Sequence, residues 1–280
     1  MVTKKTFILD GQSSRPIPTD VFFEVTYNPK PIVIFCHGYK GFKDWGAWNL
    51  VAEEFAKNGF FFIKFNFSHN GGTPENPIDF PDLDAFAEDN FTKQLLDLES
   101  VIDWIITTKE FVREASVAQV NLLGHSRGGG ITLLKASSNP HIKKVATWGG
   151  VSDFESRLPK GEELEKWKKD GVRYVENGRT KQQMPHNYQF YEDFHANKDI
   201  FDLKRAVRRL PVPQLIIHAK DDETVSVKEA EQLHKWNGKS NLFLIDQGGH
   251  TFGSKHPWDQ EELPSPLQEI TEKTIDFFES

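Results

Sequence analysis

One stretch limits the architecture more than any other: Val120-Asn121-Leu122-Leu123-Gly124-His125-Ser126-Arg127-Gly128-Gly129-Gly130, followed by the helix-compatible run Ile131 to Ser138. An apolar run that ends in Gly-x-Ser-x-Gly and opens a helix reads as strand, sharp turn and helix, with Ser126 at the tip. In so tight a turn the serine takes a strained backbone conformation, and side chains at positions 124 and 128 would collide where strand and helix converge. The helix N-terminus then aims free N–H groups at any negative charge that develops near the Ser126 hydroxyl. The bare pattern recurs by chance, and a Gly-rich turn of purely structural use is the alternative. The strand before it and the helix after it favour the chemical reading.

The rest of the chain keeps the same rhythm. Residues 5 to 27 suggest a strand pair, Lys5–Leu9 and Asp20–Thr26, joined by the polar turn Asp10-Gly11-Gln12-Ser13. Ile32-Val33-Ile34-Phe35-Cys36 is apolar throughout, as expected of a strand covered on both faces, and it ends at His37-Gly38-Tyr39-Lys40-Gly41. Helix periodicity runs from Trp48 to Lys57 and stops at Asn58-Gly59, and Phe60 to Phe65 is the next buried strand. Residues 66 to 81 are rich in Gly, Pro and Asn and predict a loop. Phe86 to Thr108 predicts one long amphipathic helix, with Leu95, Leu98, Ile102, Ile105 and Ile106 near one face. Val145–Trp148, Gln214–His218 and Asn241–Ile245 are further strands, and Asp202–Arg209, Val225–Trp236 and Pro266–Phe278 further helices. Such alternation predicts an α/β fold: a doubly wound, mostly parallel sheet with helices on both faces.

Residues 153 to 200 break the rhythm. They are highly charged, carry scattered aromatics (Trp167, Tyr174, Tyr188, Phe190, Tyr191) and lack a buried-strand signal. The expectation is a single domain over residues 1–280, with this stretch as a small, mainly helical cap over the carboxyl edge of the sheet.

With 280 residues the chain can bury a full core, and its 23 phenylalanines suggest one rich in aromatic rings. A net charge of −7 and the lack of a basic cluster with interleaved aromatics argue against nucleic acid as a partner. Cys36 stands alone, so no internal disulfide can form. No sustained apolar segment follows Met1, and the longest apolar runs are too short to span a bilayer. These features predict a cytoplasmic protein with no membrane association. Composition leaves the oligomeric state open.

A serine hydroxyl becomes a strong nucleophile only when a base takes its proton and a third group orients that base. In a doubly wound sheet the partners belong in loops after later strands, at the carboxyl edge. His218-Ala219-Lys220-Asp221-Asp222-Glu223-Thr224-Val225 follows one strand, and Asp246-Gln247-Gly248-Gly249-His250-Thr251-Phe252 follows the next, giving the order Ser…Asp…His. No histidine pair has metal-ligand spacing, and neither metal nor other cofactor is expected.

On these residues the chain resembles α/β-hydrolase-fold serine hydrolases over nearly its whole length. Within them it is similar to dienelactone-hydrolase-like and cinnamoyl (feruloyl) esterase-like enzymes, and to serine-aminopeptidase-like members. The segment His37-Gly38-Tyr39, the turn Gly124-His125-Ser126-Arg127-Gly128, the acid loop and the Gly-Gly-His loop fall in family order, and Phe65-Asn66-Phe67-Ser68-His69-Asn70-Gly71 matches the aromatic-rich loop after the fourth strand. The resemblance implies Ser126 as nucleophile, His250 as general base and Asp222 as the acid. Ala219 replaces a glycine common in the family's acid loop, so Asp222 is chosen by aligning His218 and Val225. Its neighbour Asp221 is the alternative, and Asp153, after an earlier strand, a poorer one. The backbone amides of Tyr39 and Arg127 are implied as the oxyanion hole. Tyr39, Trp148 and Trp167 are candidate substrate contacts. The Arg127 side chain is expected to pair with a nearby carboxylate, or to meet an acidic substrate group.

The implied activity is hydrolysis of short-chain or aryl carboxylic esters, thioesters included, on a small-molecule substrate. Hydrolysis of a peptide or amide bond is the alternative and calls for acidic groups that hold an ammonium, for which Asp153, Glu155, Glu162, Glu163, Glu192 and Asp193 are available. A binding module with weak chemistry is a third reading. Haloalkane or epoxide chemistry needs an aspartate where Ser126 stands.

Overall fold

Ile32, Ile34 and Cys36 turn to one face of their strand, Val33 and Phe35 turn to the other, and all five are buried. That two-sided burial recurs through the centre of the structure, a computed structural model describing residues 1–280. In chain order the strands are β1 (Val2–Asp10), β2 (Pro16–Glu24), β3 (Lys30–Cys36), β4 (Phe61–Phe65), β5 (Ala115–His125), β6 (Ile142–Trp148), β7 (Val172–Glu176), β8 (Gln183–Asn187), β9 (Gln214–Ala219) and β10 (Asn241–Ile245). Eight of them form one sheet in the order β1-β2-β4-β3-β5-β6-β9-β10. The β1–β2 and β2–β4 pairs are antiparallel, and every other pair is parallel.

Helices cover both faces. On one lie α1 (Trp48–Lys57) and the C-terminal helix α9 (Ser265–Glu279). In α1 the buried positions Trp48, Val51, Ala52, Phe55 and Ala56 make one stripe. Burying side chains such as Val51 and Phe55 contributes about 1.5–3 kcal/mol each, which is what sustains so short a helix. The opposite face carries α3 (Phe91–Thr107), α4 (Arg127–Ala136), α7 (Leu203–Arg208) and α8 (Val227–Trp236). No helix is long and apolar enough to cross a membrane.

From β3 the chain first builds β4 on one side and then returns to build β5 on the other. This reversal places the carboxyl ends of β3 and β5 side by side, with Cys36 paired to Gly124. A crevice at such a switch point is the general ligand site of an open α/β sheet. Here it holds the segment after Cys36 and the turn containing Ser126.

The predicted helix over Phe86–Thr108 is two helices, α2 (Leu83–Ala87) and α3. Asn90 sits in extended conformation between them and accepts from the Lys93 amide, which caps α3 and ends the continuity. The stretch 153–200, expected to be mainly helical, contains α5 (Gly161–Asp170), the β7–β8 hairpin and α6 (Gln189–Ala196). The hairpin escapes a buried-strand pattern because it pairs only with itself and leaves Tyr174 and other side chains in solvent.

Candidate active site

Ser126 has φ 56° and ψ −121°, a conformation that costs a non-glycine residue about 1–3 kcal/mol. Close packing enforces it. A Cβ at Gly128 would lie 2.3 Å from the Cys36 carbonyl and 2.5 Å from that of His37, so α4 can approach β3 only because residue 128 is glycine. The Ser126 amide donates to the Trp148 carbonyl at 2.9 Å, tying the turn to β6.

Two loops, after β9 and after β10, bring polar side chains to this turn. His250 Nε2 lies 2.9 Å from Ser126 Oγ, and His250 Nδ1 lies 2.8 Å from Asp222 Oδ2. A carboxylate only accepts, so Nδ1 carries the proton and Nε2 is left to accept from the serine hydroxyl. Asp222 Oδ1 accepts from the amides of Thr224 and Val225, each at 2.8 Å. His218 Nε2 donates to the Val225 carbonyl and leans on Asp222 Oδ2 at 3.3 Å. Burial alone would raise the Asp222 pKa, but the hydrogen bonds from His218, His250 and the Val225 amide outweigh it and hold the carboxyl well below its usual range. Asp221 faces elsewhere. Its oxygens accept from the Gly248 and Gly249 amides at 3.2 and 2.8 Å, so it braces the loop that carries His250. Asp153 heads a short 3₁₀ turn through bonds to the Glu155 and Ser156 amides, apart from this cluster.

The segment after β3 presses on the same point. A Cβ at Gly38 would come within 2.9 Å of Ser126 Cβ. The Tyr39 amide meets no acceptor in the protein, and the Arg127 amide heads α4, where a helix has no intrahelical acceptor to offer. His37 donates from Nδ1 to the Gly38 carbonyl and accepts the Phe67 amide at Nε2, and burial holds its pKa down to about 4. Farther along, Lys43 Nζ meets Asp20 Oδ2 at 2.6 Å, and Lys64 binds both Asp20 and Asp44. This buried ion cluster, with Asn66 Oδ1 accepting the Lys43 amide at 2.6 Å, fixes residues 43–44 to β2 and β4.

Beside Ser126 opens a cavity of about 260 Å³. Phe91, Phe154, Trp167 and Phe190 supply apolar walls, Tyr39 and His186 a polar one, and Arg127, Arg157 and Arg173 its charges. Tyr39 Oη and His186 Nε2 are 2.6 Å apart, which joins the segment after β3 to the hairpin. The Arg127 guanidinium lies 4.2 Å from the centre of the Tyr39 ring and 3.5 Å from Asp89 Oδ2.

The sequence profile described as alpha/beta hydrolase fold matches residues 31–182, more than half of the chain. The chain belongs to the α/β-hydrolase fold family. Among curated proteins this chain is 26% identical over 125 residues to the uncharacterized peptidase YtmA of Bacillus subtilis, covering 42% of this chain and 43% of that protein. It is also 26% identical over 157 residues to the human serine hydrolase BPHL, covering 50% and 52%. The chain thus spans about half the length of the curated relatives it matches. Among solved structures, the esterase domain of a Rhodothermus marinus protein matches with a TM-score of 0.66 at 18% identity, covering 98% of this chain and 97% of that one. Est1E from Butyrivibrio proteoclasticus with ferulic acid bound gives 0.69 at 15%, covering 97% of each. Dienelactone hydrolase from Anabaena variabilis gives 0.65 at 16%, covering 99% and 97%. At these identities the likeness is one of fold.

Of the residues singled out in the sequence, Ser126, Asp222, His250, Tyr39, Arg127 and Trp167 gather at one site. Trp148 does not. Its side chain is fully buried on the α1/α9 face, donates to Thr274 Oγ1 at 2.9 Å and packs against Phe35, Trp48 and Phe252, so as a substrate contact it is replaced by a core role. His186 and Arg173 of the hairpin line the cavity without having been singled out, because nothing in their local sequence says which face of β7 or β8 turns inward. His125 keeps a supporting place, donating to the His250 carbonyl at 2.8 Å.

Proposed function

We propose that this chain is a serine hydrolase that cleaves carboxylic esters through an acyl-enzyme on Ser126. The observation that carries the reading is the continuous hydrogen-bond line from Ser126 Oγ to His250 (2.9 Å) to Asp222 (2.8 Å), at a turn with positive φ. In this mechanism His250 Nε2 takes the hydroxyl proton as Oγ attacks the ester carbonyl, and Asp222 stabilises the imidazolium that forms. The carbonyl oxygen, now negative, is met by the Tyr39 and Arg127 amides at the N-terminus of α4. His250 then protonates the departing alkoxide, leaving Ser126 acylated. Water repeats the sequence with His250 as base, and the acid leaves.

The cavity supports ester over exopeptidase chemistry. No aspartate or glutamate lines it, so nothing there is suited to hold a substrate ammonium. A pure binding module has no use for a histidine placed between a serine and a carboxylate.

The test is hydrolysis of 4-nitrophenyl acetate, butyrate and octanoate, and of an aminoacyl 4-nitroanilide, by wild type and Ser126→Ala. Ester turnover lost in the variant, with little anilide turnover in either protein, is the expected result. A folded wild type that cleaves the anilide in preference would transfer the assignment to amide hydrolysis.

A further inference from the structure

Three arginines and no carboxylate line the cavity beside Ser126. Guanidinium groups gathered on one pocket are costly unless each has a counter-charge or the ligand brings one. Arg157 is already engaged, donating to the Asp153 carbonyl and pairing with Glu229. Arg127 has only Asp89, at 3.5 Å, the outer limit of a hydrogen bond. Arg173 has only Glu163, at 3.6 Å, and the Glu163 side chain is 65% exposed, so solvent screens that pair. Aromatic faces hold both planes: Arg127 lies over Tyr39, and the Arg173 guanidinium sits 5.2 Å from the centre of the Trp167 ring.

The wall these groups share supplies no negative charge. His186, hydrogen-bonded to Tyr39, is kept neutral by burial and by the nearby charges of Arg127 and Arg173, which bring its pKa down to about 3. Two under-paired guanidinium groups over a neutral, largely apolar pocket are suited to a planar anion that accepts two parallel N–H bonds.

We propose that the cavity binds a substrate carboxylate between Arg127 and Arg173, so that the ester cleaved at Ser126 carries a free carboxylate. Such a substrate is a half-ester of a dicarboxylic acid or an ester of an acidic alcohol or phenol. The position of the scissile bond rests on Ser126 being the nucleophile, whereas the carboxylate subsite exists without turnover. The test therefore measures binding as well as hydrolysis.

Two matched pairs serve as probes: 4-nitrophenyl hydrogen glutarate against 4-nitrophenyl pentanoate, and 4-carboxyphenyl butanoate against phenyl butanoate. The first places the carboxylate on the acyl side and the second on the leaving group. Calorimetric titration of the Ser126→Ala protein is expected to show the carboxylate member of one pair binding about ten-fold tighter or better. That gap should shrink with added salt, close to within about two-fold when Arg173→Gln is added, and survive in part with Arg173→Lys. Equal or tighter binding of the neutral member in both pairs overturns the proposal, as does a gap that persists in Arg173→Gln. Wild type that keeps the gap but hydrolyses neither pair, releasing no 4-nitrophenol, 4-hydroxybenzoate or phenol, refutes the Ser126 hydrolase reading and leaves the carboxylate subsite standing.

Discussion

Asp221 and Asp222 are adjacent in sequence and perform different work. Asp222 receives His250 and two backbone amides, while Asp221 holds the Gly248 and Gly249 amides. Asp222→Asn is therefore expected to lower kcat for an aryl ester by roughly 10⁴-fold, because an amide in place of the carboxylate disfavours the required tautomer. Asp221→Asn loosens only a support and is expected to cost at most about 10²-fold. Steady-state kinetics of the two variants side by side separates them, and equal losses would contradict the assignment. The choice between the two was legible only by alignment of His218 and Val225, since spacing alone admits either. Trp148 shows the limit of single-residue reading. A tryptophan at the carboxyl end of a strand can face the site or the core, and its parity becomes clear only when Thr274 and Phe252 are seen beside it.

Elements were legible where burial is two-sided or strictly periodic. Helix α1 and strand β10 have the limits that their sequences predict, and β5 with α4 forms the expected strand, turn and helix. The β5–α4 turn tolerates no added atom at residue 128. Gly128→Ala is expected to lower stability by about 1–3 kcal/mol or more, read as a reduced Tm, because the atoms it meets are backbone of Cys36 and His37. The hairpin β7–β8 was missed for a physical reason: a half-exposed, two-stranded ribbon has little apolar alternation to display. Its anchor is Trp167, buried, with Nε1 donating to the His186 carbonyl at 2.7 Å. Trp167→Ala removes a large buried ring, worth about 3–5 kcal/mol. Hydrogen exchange should then rise across residues 172–187 while β3 and β5 stay protected. Uniform loss of protection would mean that the hairpin and the sheet unfold as one unit.

At the scale of the molecule, buried titratable groups tie stability to pH. Burial lowers the pKa of His37 and His69 to about 4 and of His125 and His186 to about 3. Below the ordinary histidine value the unfolded chain takes up protons that the folded chain refuses, so these four groups make stability fall as pH drops from about 6.5 towards 4. Asp89 and Asp97 work the other way. Burial raises them to about 7 and about 6, so the folded state holds protons that the unfolded state has released. Four groups outweigh two, and the urea midpoint is expected to be lower at pH 5 than at pH 7. Asp89→Asn removes part of the opposition and should steepen that fall, whereas a midpoint that rises on acidification would contradict the balance. The parallel sheet and the meeting of the loops that carry Ser126, the acid and His250 at its carboxyl edge were foreseeable from strand order. The cavity was not, because its three arginines come from α4, the 3₁₀ turn at Glu155–Arg157 and the hairpin, and only the tertiary structure brings them to one pocket. The central claim, that Ser126 is the activated nucleophile, is tested most directly by stoichiometric labelling with a fluorophosphonate followed by peptide mass mapping. The account predicts one adduct per chain, on Ser126, formed much more slowly in Asp222→Asn. A folded protein left unlabelled, or labelled at another residue, would contradict it.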